Sequence, residues 1–315
     1  MQQLEKVRID GDVRELHRSP EHLAAGGDFE VTVAISFASS RDTLGETVAS
    51  LHEQVGAPRF EVLLVSNGTT DDSVEVARAA AAGLPTRVVE CRSSGYDSNA
   101  RNVSMVEAAG DKVLFLDADD TVGATYVAAM AAALDTSPIV TAVWDLQRLN
   151  GRRWPELQRR PADPGDWPMR QQGWTYAPAG TLGFRREVPR AVGGFDPGLT
   201  FAANNEWCFR AYAAGFEIAL APGAVVHYRL RSQGVQALRQ RYRWGVSEVA
   251  AAKAAQAYGF PPRTGLRALG VGTAARLLKR LPGVRSGYGR YDLLSALGHA
   301  AGRVSGSVKH RSLDL

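Results

Sequence analysis

The chain has 315 residues, 45% hydrophobic and 22% charged, an ordinary globular composition that argues against disorder over most of its length and allows one large α/β domain with an appendage or two ordinary domains. Cys91 and Cys208 lack the spacing of a cysteine-based zinc site, no apolar run approaches the roughly 18 residues of a membrane span, and residues 1 to 30 carry Lys6, Arg8, Arg14 and Arg18 without the apolar region of a secretory signal. The net charge of +4 is concentrated in residues 261 to 315, where ten Lys or Arg face only Asp292 and Asp314.

Residues 1 to 30 read as an N-terminal extension that closes on the flexible run Ala24-Ala25-Gly26-Gly27-Asp28. A strand is predicted at Val31 to Phe37, then a helix over Asp42 to Val55 through Leu44, Val48 and Leu51. The run Val62 to Val65 predicts a second strand, followed by the polar turn at Ser66 to Thr70 and a helix from Asp71 to Ala82. Thr86 to Glu90 predicts a third strand, giving βαβαβ, the pattern of a parallel sheet covered by helices. A helix at Asn99 to Ala109 and a buried strand at Val113 to Leu116 follow, and the strand runs directly into Asp117. Ligands in open α/β sheets bind beyond the carboxyl ends of the strands, so an acidic group here stands where a site belongs. After a helix at Thr125 to Leu134, residues 150 to 175 read as a long loop or lid.

Asp117, Asp119 and Asp120 crowd three carboxylates into four residues. Mutual repulsion is relieved either in a solvated turn, with Asp120 as a helix cap, or by a cation. One or two carboxylates completed by water and substrate phosphate suit Mg²⁺ or Mn²⁺. DxD alone leaves both readings open.

Taken together, Ala100-Arg101-Asn102, Ala109-Gly110-Asp111 and VLFLDADD resemble the corresponding run of family 2 glycosyltransferases, in letters and in spacing. VLLVSNGTTDDS, Gly193-Gly194-Phe195-Asp196, and Arg210 with Gly215 extend the likeness over about residues 31 to 245. The resemblance implies a GT-A fold, a Rossmann-like, mostly parallel sheet with flanking helices, over 31 to 245, with residues 246 to 315 as a basic C-terminal helical extension. It further implies donor contacts from Ser36, Ser66, Asn67, Arg101, Asp117 and Ala118, and a divalent ion, Mn²⁺ or Mg²⁺, on Asp119 with His227 completing the site. Gln240-Arg241-Tyr242-Arg243-Trp244 fits the QxxRW motif of processive members, placing Gln240, Arg243 and Trp244 at the diphosphate and acceptor. The chemistry is sound, because Arg binds phosphate through paired donors and indole stacks on sugar. With no apolar span in the chain, no polymerisation is inferred.

The chain departs from that pattern in three places. The first strand gives Ser36-Phe37-Ala38-Ser39 without the usual Pro, Ser66 stands where an Asp reads the nucleotide, and Asn204 stands where an Asp serves as base. Asparagine cannot take a proton, so Glu206, with Asp196 behind it, becomes the expected base. If that segment is helical, Glu206 turns about 200° from the expected face.

The expected activity is therefore inverting transfer of a sugar from a nucleoside diphosphate sugar to a hydroxyl of a small molecule, glycan or lipid-linked acceptor. The alternatives are a non-catalytic glycosyltransferase-like protein that binds nucleotide or sugar or supports a partner, and a nucleotidyltransferase, for which Phe37-Ala38-Ser39-Ser40-Arg41 makes a poor phosphate loop. In the tail, Leu266, Leu269, Leu277, Leu278 and Leu281 interleave with Arg267, Arg276, Lys279 and Arg280 as an amphipathic helix ended by Pro282-Gly283, and a second helix spans Asp292 to Ala301. Such a helix closes over a core, pairs with another subunit or lies on an anionic membrane. A cytoplasmic location is expected, peripheral at a membrane in the last case, with no nucleic-acid partner.

Overall fold

The computed structural model describes residues 4–91, 97–159, 169–171, 174–199, 201–265 and 270–314. In chain order the elements are β1 (Val13–Arg18), α1 (Pro20–Ala24), β2 (Val31–Phe37), α2 (Leu44–Ala49), β3 (Phe60–Asn67), α3 (Ser73–Ala80), β4 (Thr86–Cys91), α4 (Asp97–Glu107), β5 (Lys112–Asp117), β6 (Thr121–Val122), α5 (Tyr126–Thr136) and β7 (Ile139–Asp145). There follow α6 (Gln147–Asn150), the hairpin β8 (Met169–Gln171) and β9 (Trp174–Tyr176), β10 (Leu182–Arg185), α7 (Glu187–Val192), α8 (Ala203–Ala213), β11 (Ile218–His227), α9 (Gly234–Ala255), α10 (Val271–Arg280) and α11 (Gly287–His310).

Nine of these strands form one sheet in the order β1-β4-β3-β2-β5-β10-β7-β11-β6. The run β4-β3-β2-β5 is parallel, as the βαβαβ pattern predicts. Alternation sorts the side chains of β5 to opposite faces. Val113 and Phe115 join Trp207 and Phe184 in one core layer, while Leu114 and Leu116 join Tyr126, Leu44 and Val48 in the other. This is a layered α/β architecture, extended by C-terminal helices. Its register sets Ser36 of β2 beside Asp117 of β5, so both strands deliver polar groups to the same end of the sheet.

Residues 4 to 30 are part of this fold rather than an extension. Strand β1 pairs antiparallel with β4 as the sheet's edge, and Leu4 and Val7 are buried in the core. Charged, mostly exposed side chains along Val13–Arg18 suit an edge that must not recruit further strands, and they also hide the strand from a search for alternating apolar residues. Ser19 caps α1 by accepting from His22 N, and its hydroxyl donates to Leu84 O, tying the segment to β4.

At the other end, α9 runs through residue 245 without a break. The final helix is 24 residues long and not the short Asp292 to Ala301 expected. Gly298, Gly302 and Gly306, four apart, face the α9 backbone at Leu238, Tyr242 and Val246, where an added Cβ would collide with main-chain atoms. The two helices therefore pack backbone to backbone as one unit. Of the expected amphipathic helix, Leu266, Arg267 and Leu269 lie outside the described residues. Its remainder, α10, buries no side chain and leaves Leu278 exposed. Likewise, much of the expected lid at 150 to 175 falls outside the described residues, while 169–171 and 174–176 form the hairpin. Among the described residues no helix is long and apolar enough to cross a membrane.

Candidate active site

A cleft of about 740 Å³ opens at the carboxyl ends of β2 and β5. Its first wall comes from the sheet. Arg101, on α4, reaches Asp97 at 2.5 Å and Asp117 at 2.9 Å, and Ser36 Oγ donates to Asp97 at 2.7 Å. Burial works against the Arg101 charge, but Asp97 and Asp117 more than restore it, so the guanidinium stays charged. For Asp117, burial is the main effect and lifts the carboxyl to about 6, with Arg101 opposing and Asp97 and Asp119 adding. Gly180 lies against this carboxylate so closely that a Cβ there would overlap it.

The acidic turn is stitched in place by its neighbours. Asp120 N donates to Asp117 O, and Thr43 Oγ1 donates to Ala118 O at 3.0 Å. Asp120 is buried and accepts from Arg229 N through Oδ1, while its Oδ2 has no partner among the described residues. Burial first, then the charges of Asp117 and Asp119, push it up to about 9. The third Asp is thus a buried structural group and does not line the cleft. Asp119 lines the cleft, accepts an ion pair from Arg231 at 3.0 Å, and has its carbonyl bound by Arg229 Nε.

The second wall is helical. Asn204 begins α8 and donates to Ala177 O at 2.8 Å. On α9, Gln236, Gln240, Arg241, Trp244 and Glu248 line the cleft together, since helical spacing puts them on one stripe. The Arg241 guanidinium sits over the Trp244 ring at 4.4 Å. Tyr176, and Trp144 with Tyr228 packed on it, complete an aromatic rim.

Several expected residues are not brought to this cleft. Glu206 is buried inside α8, where it holds Arg210 through both carboxylate oxygens, and Arg210 in turn binds the carbonyls of Val192 and Gly194. The segment is helical, so the two-residue step from Asn204 does turn Glu206 away from the cleft. Asp196 is exposed in a turn, accepting from Gly198 N. Arg243 is exposed and does not line the cleft, whereas Arg241 does. Ser66 is fully buried at the end of β3 with no partner for its hydroxyl among the described residues, and Asn67 accepts from Cys91 Sγ. Neither lines the cleft. His227 ends β11 opposite Thr121, with Nδ1 2.6 Å from Asp145 Oδ2. It is not gathered with Asp117 and Asp119.

Sequence reasoning passed over Arg229, Arg231 and Glu248. The first two stand two and four residues beyond His227, and the signal was their period-two spacing as the strand runs out over the acidic turn. Glu248 stands four residues after Trp244 and eight after Gln240, the helical repeat of the QxxRW stripe.

Can these groups hold a divalent ion? Among the described residues no three His, Cys, Asp or Glu side chains converge on one point. A cage made by protein alone is therefore not what these residues offer. The cleft does present Asp117 and Asp119, one or two carboxylates on a single turn, which fits an ion that takes its remaining ligands from water and diphosphate.

A family model described as "Glycosyl transferase family 2" matches residues 32–193, just over half of the chain. YwdF of Bacillus subtilis, named an uncharacterized glycosyltransferase, is 25% identical over 211 residues, 65% of this chain and 76% of YwdF. TarS of Staphylococcus aureus, named a poly(ribitol-phosphate) beta-N-acetylglucosaminyltransferase, is 26% identical over 135 residues, 42% of this chain but only 24% of TarS. Among solved structures, the mannosyltransferase PcManGT of Pyrobaculum calidifontis in complex with GDP-Man and Mn²⁺ is similar with a TM-score of 0.59 at 18% identity, covering 96% of this chain and 91% of that one. Residues 1–349 of S. aureus TarS in complex with UDP-GlcNAc give a TM-score of 0.53 at 17% identity over 90% and 93%. Identities at that level carry the fold alone.

Proposed function

Since the chain belongs to glycosyl transferase family 2, its reaction is glycosyl transfer, and we propose that it moves a sugar with inversion from a nucleoside diphosphate sugar to an acceptor hydroxyl, with Mn²⁺ or Mg²⁺ as cofactor. The family also removes the nucleotidyltransferase alternative. One observation carries the reading: Asp117 and Asp119 stand at the end of β5 in a cleft that also holds Ser36, Arg101, Arg229, Arg231 and Arg241. Carboxylates for an ion and guanidinium groups for phosphate oxygens lie in one pocket, which suits a diphosphate anion.

Asp117, fixed by Arg101, offers an acceptor to the donor's ribose, and Asp119 would hold the ion. A divalent ion there would supply Lewis-acid stabilisation of the charge that develops on the departing nucleoside diphosphate. Arg231, ion-paired with Asp119 and about half exposed, is free to turn to the phosphates when donor arrives. Trp144, Tyr176, Tyr228 and Trp244 offer flat faces to the sugars. The names of the similar proteins support a nucleotide-sugar donor, UDP-GlcNAc for one and GDP-Man for another. The acceptor is a small molecule, a glycan or a lipid-linked sugar.

One observation favours the non-catalytic alternative: Asn204, where the family's base belongs, is committed to the Ala177 carbonyl and cannot take a proton. Nucleotide release separates the two readings. UDP-, GDP- and dTDP-sugars are incubated with the protein in Mn²⁺ and in EDTA. Release from at least one donor, abolished by EDTA, is the expected result. Nucleotide binding without release supports the non-catalytic protein.

A further inference from the structure

The cleft has no carboxylate at Asn204, and Glu206 is sealed in its pair with Arg210. Five carboxylates line the cleft among the described residues: Asp42, Asp97, Asp117, Asp119 and Glu248. Asp97 and Asp117 share Arg101, Asp119 is the ion's ligand in the proposed function, and Asp42 is almost fully exposed beside Arg41. Glu248 differs from all four. It comes from the helical wall, one turn beyond Trp244, close enough to Tyr176 that its charge adds to the effect of burial in raising that hydroxyl's pKa.

Its surroundings hold it still. His299 Nε2 is 2.8 Å and Arg303 Nη1 3.2 Å from the same carboxylate oxygen, Oε2, and both partners come from α11. Arg303 is itself buried and anchored to Asp314. Among the described residues Oε1 carries no hydrogen bond. The tight glycine packing of α11 on α9 therefore fixes one oxygen of a cleft-lining carboxylate and leaves the other uncommitted. Burial would neutralise this group, yet His299, Arg303 and Arg241 hold it ionised.

We propose that Glu248 is the general base of the transfer, supplied by the C-terminal helix pair in place of the carboxylate missing at Asn204. The assignment rests on the inverting transfer proposed above. The acceptor hydroxyl gives its proton to Oε1 as its oxygen forms a bond to the anomeric carbon. The bond from that carbon to the donor phosphate oxygen breaks, and its electron pair leaves with the nucleoside diphosphate. Every proton and electron pair is accounted for without another reactant.

The test uses the full chain, Mn²⁺ and the donor found to release nucleotide, with water as acceptor. Glu248→Gln keeps the shape and the bond to His299 but cannot take a proton. Turnover is expected to fall about 100-fold or more, the low end for losing a general base, while the affinity for the nucleoside diphosphate stays within twofold of wild type. Unchanged turnover overturns the assignment of Glu248 and leaves the transferase reading intact. Absence of release in the wild-type protein overturns the transferase reading and the assignment with it. Should the Gln variant not fold, Glu248→Asp keeps the charge and withdraws it by one methylene. Turnover reduced at least about tenfold with nucleotide affinity retained supports the base, and wild-type turnover rejects it.

Discussion

The two walls of the cleft are built on different principles. The sheet wall is strand ends: Asp117 finishes a buried β5, Ser36 stands beside it in register, and the turn beyond is tied down by Thr43 and Arg229. The helical wall is made by the first turn of α8 and one stripe of α9, which α11 braces from behind. A strand end fixes the position of its last residue through the hydrogen bonds of its neighbours. A helix fixes direction by rotation, so a shift of one or two residues sends a side chain into the core or out to solvent. Placement on the sheet wall is thus a matter of sequence position, and on the helical wall a matter of angle.

That contrast predicts where substitutions act. The largest effect is expected at Asp119→Ala, which removes the ion's carboxylate. Donor turnover should fall by about 10³-fold, the scale of losing a principal electrostatic stabiliser, with no loss of thermal stability, measured by nucleotide release and calorimetric Tm. Glu206→Ala should do the reverse. Removing one partner of a buried ion pair costs about 3 kcal/mol, read as a lowered urea midpoint, whereas turnover per folded molecule stays near wild type. A catalytic loss without a stability loss would return Glu206 to the site and break the comparison.

The donor half has its own buried glutamate. Glu61 accepts from Thr32 Oγ1 and Ala109 N, lies 2.8 Å from His22 Nε2, and pairs with Arg87. Burial raises its pKa, but these partners outweigh it and hold the carboxyl at about 2. A depressed folded-state value stabilises above the unfolded value of about 4.5 and is lost as pH falls toward 2. Urea midpoints between pH 6 and pH 3 should therefore report a loss of about 2 kcal/mol from this group, absent in Glu61→Gln. The smallest effect is expected at Trp244→Ala, where a lost stacking face should raise the KM for acceptor about tenfold and leave donor affinity unchanged.

How much of this was legible follows the same division. The parallel strands and the placement of Asp117 and Asp119 were readable because a buried strand ending on an acid is a one-dimensional pattern. The edge strand Val13–Arg18 was not, since edge strands are written in charged residues. On the helical wall Gln240 and Trp244 line the cleft as expected, whereas Arg243 and Glu206 do not, and Arg241 and Glu248 do. Which side chains reach the cleft depends on rotation about a helix and on contact with α11 more than fifty residues away. The local sequence holds neither. Asp120, grouped with the other acids in the primary structure, is separated from them by burial alone.

The central proposal is a metal-assisted diphosphate site on the sheet wall. Calorimetric titration of UDP, GDP and dTDP into the wild-type protein, with Mn²⁺ and with EDTA, tests it directly. One nucleotide is expected to bind at least about tenfold more tightly with Mn²⁺, the share of an ion that Asp119 would hold, and Asp119→Ala should erase that difference. Binding indifferent to Mn²⁺, or a Mn²⁺ effect that survives Asp119→Ala, would contradict it.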